Sequence, residues 1–144
     1  MKKTRLDEND RNRLVEGALR ARQRAYAPYS HYYVGAALLT ETGKVFEGAN
    51  VENASYGATV CAERVAVFTA VAAGERKFVA MSVVGGGEGG PPCGICRQVL
   101  AEFGLDLILV LMNKDGKVVQ EVTLAEVLPG AFTPANLGID PNSI

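Results

Sequence analysis

Short apolar runs and segments of helical period take turns along this chain from residue 10 to residue 128. That alternation leaves few folds open, because each apolar run needs a cover and the intervening helices can supply it. From Asp10 to Ala25, residues Leu14, Val15, Ala18, Leu19, Ala21 and Ala25 recur at intervals of three and four, which predicts a first helix ending before Pro28. Val34 to Thr40 and Lys44 to Asn50 are β-favouring and are joined by Glu41-Thr42-Gly43, the pattern of an antiparallel hairpin. Cys61 to Ala73 predicts a second helix with Val65, Phe68, Val71 and Ala72 on its apolar side. Val79 to Gly85 follows as a buried strand, and a third helix runs from about Gly94 to Phe103. Strands at Leu107 to Met112 and Lys117 to Val122 flank the turn Asn113-Lys114-Asp115-Gly116, and Leu124 to Leu128 opens a last short helix before Pro129. The whole predicts one α/β domain over residues 1–144: a three-layer α/β/α sandwich whose mixed, about five-stranded sheet begins with the hairpin. Its core spans about residues 10 to 135, and a tail from 129 to 144, carrying Pro134 and Pro141, lies over the surface or a neighbouring chain.

Composition narrows the partners. Fifteen Lys and Arg against sixteen Asp and Glu give a formal net charge of -1, which argues against holding a polyanionic nucleic acid and favours a small, weakly charged partner. The longest aliphatic run, Leu107 to Met112, is far short of the roughly 20 apolar residues of a membrane helix. Lys2-Lys3-Thr4-Arg5 is followed by no apolar stretch, so no secretory signal is expected and a cytoplasmic location follows. The three cysteines cannot pair completely, and the spacing Cys93-Gly94-Ile95-Cys96 points to metal or redox chemistry.

Cys61-Ala62-Glu63 stands at the start of the second helix and Pro92-Cys93-Gly94-Ile95-Cys96 at the start of the third. Helix N-termini favour thiolates, and three thiolates from two adjacent N-termini make three corners of a zinc tetrahedron. A structural zinc closes the fourth corner with protein, for which His31 is the only histidine, whereas a catalytic zinc leaves that corner to water. Alone, Cys-x-x-Cys is often a redox pair, and Glu in a first turn is an ordinary response to the helix dipole. Together and in this order they match the zinc-deaminase signature in its three-cysteine form.

The segments Tyr26-Ala27-Pro28-Tyr29-Ser30, Val34-Gly35-Ala36-Ala37-Leu38, Asn50-Val51-Glu52-Asn53-Ala54-Ser55-Tyr56-Gly57, Cys61-Ala62-Glu63-Arg64, Pro92-Cys93-Gly94-Ile95-Cys96-Arg97-Gln98-Val99-Leu100 and Leu128-Pro129-Gly130-Ala131-Phe132 extend the match. Over about residues 10 to 135 the chain resembles the short, homotetrameric cytidine deaminases. The resemblance implies a zinc-dependent hydrolase of pyrimidine salvage, with one Zn2+ per subunit on Cys61, Cys93 and Cys96. It implies conversion of cytidine and deoxycytidine to uridine and deoxyuridine, with ammonia released and Glu63 acting first as base and then as acid. Arg64 is similar in position to the family arginine that hydrogen-bonds the thiolates, although by itself it reads as an exposed helix arginine. Arg97 is the weaker candidate.

Asn50 and Glu52, two apart at a strand end, leave on the same face and can converge on one ligand; the resemblance makes them ribose ligands, and the plain alternative is a solvated strand end. It also implies that the Ala62 backbone, with Ala54 and Cys61, meets the base edge, that Phe132 reaches a neighbouring subunit's pocket, and that Tyr56 approaches from another chain or is an ordinary interface aromatic. Active sites at subunit interfaces of a homotetramer follow. Tyr32 and Tyr33 stand where the family commonly has Phe and Pro. The Tyr32 ring can face the pyrimidine, but its hydroxyl needs a partner if buried.

His31 reads as a loop histidine, and Tyr26 and Tyr29 as packing residues rather than catalysts. Gly85 to Gly90 lacks the Gly-Lys-Ser/Thr ending of a P-loop, so it reads as a flexible connection that lets Cys93 reach the metal. Other readings stay open at this point. They are a deaminase of another cytosine nucleoside such as blasticidin S, a nucleic-acid editing deaminase, a thiol-disulfide oxidoreductase using Cys93 and Cys96, and a structural zinc module.

Overall fold

The computed structural model describes residues 6–144, so the reading of Lys2 to Arg5 falls outside the described residues. Helix α1 spans Glu8–Arg22 and starts two residues earlier than its periodicity suggests, because the Asp7 carboxylate caps it by accepting the Asp10 N–H at 2.7 Å. Strands β1 (Gly35–Thr40) and β2 (Val45–Ala49) form the hairpin. Helix α2 is Ala62–Ala72, β3 is Phe78–Val84, α3 is Gly94–Ala101, β4 is Ile108–Met112, β5 is Val118–Thr123 and α4 is Leu124–Val127. The sheet order is β2-β1-β3-β4-β5, with β3 and β4 parallel and every other pair antiparallel.

Alternation along the central strands divides the core in two. Ala37 and Leu39 of β1, Ala80 and Val84 of β3, and Val110 and Met112 of β4 pack with Leu14 and Ala18 of α1. Their sequence neighbours Ala36, Leu38, Met81, Val83, Leu109 and Leu111 pack on the opposite face with Ala66 and Val67 of α2 and Leu100 of α3. One helix therefore covers one face and α2 and α3 share the other, the three layers expected from the alternation.

Helix α2 turns a different side inward from the one its large residues suggest. Phe68 is 50% exposed, whereas Ala62, Glu63, Ala66, Val67 and Ala70 are buried. The cause is proximity: a Cβ on Gly48 of β2 would lie 2.4 Å from both the Ala62 carbonyl oxygen and the Ala66 nitrogen. At that separation only small residues fit between helix and strand, and the large ones are forced outward. This contact fixes the height at which the first turn of α2 stands above the sheet.

The tail after Leu128 makes contacts with its own domain. Gln98 Nε2 donates to the Phe132 carbonyl at 2.9 Å, Pro134 is buried, and Thr133 to Asn142 border a groove with residues 101–106 beyond α3.

Candidate active site

Both halves of the cysteine motif sit at helix starts. Cys61 is the N-cap of α2 and accepts the Val65 N–H at 3.1 Å; Cys93 is the N-cap of α3 and accepts the Arg97 N–H at 2.9 Å. Cys96 follows in the first turn of α3 and is buried. The three Sγ atoms lie within 4.8 Å of one another, with Cys61 and Cys93 at 4.0 Å. Tetrahedral zinc at an ordinary Zn–S distance of about 2.3 Å requires S···S separations of about 3.8 Å, and thiolate is the donor it prefers, so these residues fit that ion. Among the described residues no fourth His, Cys, Asp or Glu joins the group, His31 included, so Cys61, Cys93 and Cys96 are the residues that would hold the ion. A structural zinc module would add a fourth protein ligand.

Electrostatics favour a thiolate here. The Cys61 thiol is lowered to about 5, chiefly because the Cys96 thiol donates to it, with Arg64 Nη2 adding a hydrogen bond at 3.4 Å. Cys96 moves the opposite way, since it shares its proton with Cys61 and is itself buried. Arg64 thus takes the place assigned to it beside the sulfurs, and its Nε is buried without a hydrogen-bond partner. Arg97 has different work: Nε donates to the Pro92 carbonyl at 2.7 Å and Nη1 to the Val127 carbonyl at 2.9 Å, which ties the segment entering Cys93 to the end of α4.

Glu63, in the first turn of α2, is only 6% exposed. Burial pushes its carboxyl up to about 7, with the neighbouring Cys61 charge adding to the rise and Arg64 opposing it. A carboxyl titrating near neutrality can both take and release a proton under ordinary conditions.

Glu63, Cys61, Ala62 and Cys93 line a cleft of about 310 Å³. Asn50, Glu52, Ser30, Tyr32, Val34 and Thr59 border the same cleft, as do Val83, Met112 and the glycine segment. Asn50 and Glu52 do converge, and both also brace the opposite wall. Asn50 Oδ1 accepts the Val34 N–H at 2.9 Å and its Nδ2 donates to the Tyr32 carbonyl at 2.8 Å. Glu52 Oε1 accepts the N–H groups of Tyr29 and Ser30 at 3.0 and 3.1 Å, and Oε2 accepts the Ser30 hydroxyl. The Ser30 hydroxyl is the largest cause holding the Glu52 carboxyl below the usual range.

The glycine segment touches the rest of the domain at several points. The Tyr32 ring lies against it, so that a Cβ on Gly85 would come within 2.7 Å of the Tyr32 hydroxyl. The Lys114 N–H donates to the Gly87 carbonyl at 3.0 Å, and Gly89, at φ +96, abuts Met112 and Val119. Ala54, Tyr56 and Phe132 do not line this chain's own cleft; Phe132 is 59% exposed and Tyr56 stacks edge-on with Tyr29 at 5.9 Å. Tyr26 and Tyr29 are exposed, and Tyr29 packs on Tyr56 at the surface. Ser30 and Thr59 escaped the sequence reading. Only the pattern Tyr29-Ser30 just ahead of the departing Tyr32 carried a signal for the first of them, and Thr59 had none.

Fold and site together define a three-layer α/β/α domain with a three-cysteine cluster fit for a metal and a buried carboxyl beside it. Residues 8–112 match the family described as "Cytidine and deoxycytidylate deaminase zinc-binding region", and the chain belongs to it. The chain is 51% identical over 130 residues to the cytidine deaminase of Halalkalibacterium halodurans, covering 89% of this chain and 98% of that one. It is 47% identical to the cytidine deaminase of Sporosarcina psychrophila, over 89% and 95% of the two chains. Its fold is similar to the crystal structure of cytidine deaminase from Burkholderia pseudomallei at TM-score 0.80 and 52% identity, covering 84% of this chain and 98% of that one. The corresponding structure from Mycobacterium tuberculosis gives TM-score 0.76 at 42% identity, over 85% and 97% of the two chains.

Proposed function

We propose that this chain hydrolyses cytidine and deoxycytidine at C4 of the base, consuming water and leaving uridine or deoxyuridine and ammonia. The observation that carries this reading is the placement of three converging thiols beside a buried carboxyl, with Cys61, Cys93 and Glu63 lining one cleft. Zinc held by Cys61, Cys93 and Cys96, when bound, lowers the pKa of a water and so supplies a nucleophile at neutral pH. The chain moves the protons. The Glu63 carboxylate takes one from the attacking water and gives it to N3 of the ring, then carries the proton of the new C4 hydroxyl to the departing amine as the C4–N bond breaks and the carbonyl forms, a task suited to a group titrating at about 7. Arg64 offsets the negative charge that three thiolates bring to a dication.

The opposite wall serves recognition. Asn50 and Glu52 meet the sugar hydroxyls, the Tyr32 ring faces the base, and the Ala62 backbone meets the base edge. Phe132 and Tyr56, outside their own chain's cleft, complete the clefts of neighbouring copies in a homotetramer. Pyrimidine salvage in the cytoplasm is the setting that suits this activity; among the described residues no helix is long and apolar enough to cross a membrane.

The test is the fall of cytidine's ultraviolet absorbance in zinc-loaded protein, with ammonia measured in parallel and deoxycytidine run alongside. Stoichiometric uridine and ammonia are expected. No conversion of either nucleoside by protein carrying one zinc per chain would overturn the reading.

A further inference from the structure

The segment from Ala27 to Val34 reaches the cleft through a backbone conformation that a side chain disfavours. His31 is the one non-glycine residue at positive φ among the described residues, at +56, and its N–H donates to the Ala27 carbonyl at 3.0 Å. A left-handed histidine persists where its neighbours over-determine it. On one side of His31 the Ser30 hydroxyl donates to Glu52 Oε2; across the turn, the same Ser30 oxygen accepts the Tyr32 N–H at 3.0 Å. One hydroxyl therefore joins the Glu52 carboxylate to the backbone of Tyr32. The Tyr32 ring, so held, lies on Gly85 and Gly86 and borders the cleft together with Ser30 and Glu52.

We infer that Ser30 is a positioning residue for the deamination reaction, the joint through which the Glu52 carboxylate sets the place of the Tyr32 ring on the cleft wall. Glu52 is anchored by the Tyr29 and Ser30 N–H groups through Oε1, so its Oε2 is held in one place. Asn50 fixes the next stretch by bonding the Tyr32 carbonyl and the Val34 N–H. Between these two clamps, the Tyr32 N–H has the Ser30 hydroxyl as its hydrogen-bond acceptor. Removing that oxygen frees the αL turn to relax and lets the ring leave the glycine segment. Because the carboxylate proposed to meet the sugar also holds the ring proposed to face the base, sugar recognition and base recognition are mechanically joined. This inference deepens the proposed function and rests on it for its kinetic consequence alone.

The experiment compares Ser30→Ala, Ser30→Thr, Tyr32→Ala and the double variant Ser30→Ala/Tyr32→Ala in zinc-loaded protein. Two readouts are taken: amide hydrogen exchange at Tyr32, and the separate kcat and KM for cytidine. Ser30→Ala is expected to speed Tyr32 exchange about ten-fold or more and to lower kcat/KM about ten-fold, carried by KM, with zinc content intact. Ser30→Thr, which keeps the hydroxyl, is expected to retain both. Because the loss acts through the ring, the double variant is expected to be no worse than Tyr32→Ala alone. Unchanged Tyr32 exchange in Ser30→Ala overturns the inference, as do kinetic losses that multiply in the double variant. A wild-type protein that does not convert cytidine would instead overturn the proposed function, and the exchange readout would still decide whether Ser30 holds Tyr32.

Discussion

At the residue scale, the centre works by setting opposite demands side by side. Glu63 is buried enough to titrate at about 7, while Cys61, three residues before Arg64, is lowered to about 5. Arg64 serves both, since it bonds the sulfur and tempers the rise at the carboxyl. Replacing it with Gln removes that charge and is expected to weaken zinc about 10- to 100-fold, the range for outer partners of metal ligands. Competition with a chelator of known affinity reads this directly, and unchanged zinc affinity with unchanged turnover would show that Arg64 is only a neighbour. The cysteines and Glu63 were legible in the sequence because their chemistry is local: two helix starts and one short spacing each. The work of Asn50 and Glu52 as clamps was not, because their partners are 16 to 23 residues away and meet them only once β2 has delivered the chain to the loop.

At the scale of elements, the first turn of α2 is placed by what β2 lacks. A Cβ at Gly48 would strike the backbone of α2 at Ala62 and Ala66, and backbone cannot swing aside as a long side chain can. Gly48→Ala is therefore expected to cost about 3 kcal/mol of unfolding free energy in a urea titration, and to weaken zinc because Cys61 moves with the helix. A change below about 0.5 kcal/mol would mean that the helix has room. The same contact explains why the apolar side of α2 was misjudged from sequence. Hydrophobic size favoured Val65, Phe68 and Val71, whereas close approach selects the alanines, and that requirement lies in a glycine of another element.

The other side of the sheet is tied differently. Glu47 on β2 accepts Arg20 Nη2 at 2.5 Å and Arg24 Nη2 at 2.6 Å, linking α1 and the turn after it to the edge strand. Burial alone would raise the Glu47 carboxyl, but the two arginines outweigh it and hold the group below its ordinary value. A depressed folded-state pKa contributes stability that is present above the unfolded pKa and is lost as pH falls through the folded one. Glu47→Gln is expected to cost roughly 1 kcal/mol at pH 7, with the difference from wild type fading in acid. A deficit that persists unchanged in acid would locate its cause in packing instead.

At the scale of the whole molecule, the three layers were readable from the alternation of periods, and the sheet order follows from the hairpin at its start and the parallel step from β3 to β4. What one chain leaves unfinished is on its surface: Phe68, Tyr56, Ile95 and Phe132 are all large, apolar and exposed. In the proposed tetramer these side chains would find cover, and Phe132 would supply a wall to a neighbour's cleft. Sedimentation is expected to give four times the 15.3 kDa chain mass, and Phe132→Ala to lower kcat/KM for cytidine about ten-fold or more with the urea midpoint of the chain little changed. A fully active monomer would contradict the shared-site assembly.

All of these scales bear on Glu63, the proposed proton carrier, beside three thiols fit for zinc. The most direct test is single-turnover and steady-state conversion of cytidine by Glu63→Gln protein shown to hold one zinc per chain. Retained zinc with kcat lowered by about 10²-fold to 10⁴-fold or more is the predicted result, since the amide keeps the shape of the side chain and cannot carry the proton. Turnover near the wild-type rate in that zinc-loaded variant would contradict the account at its centre.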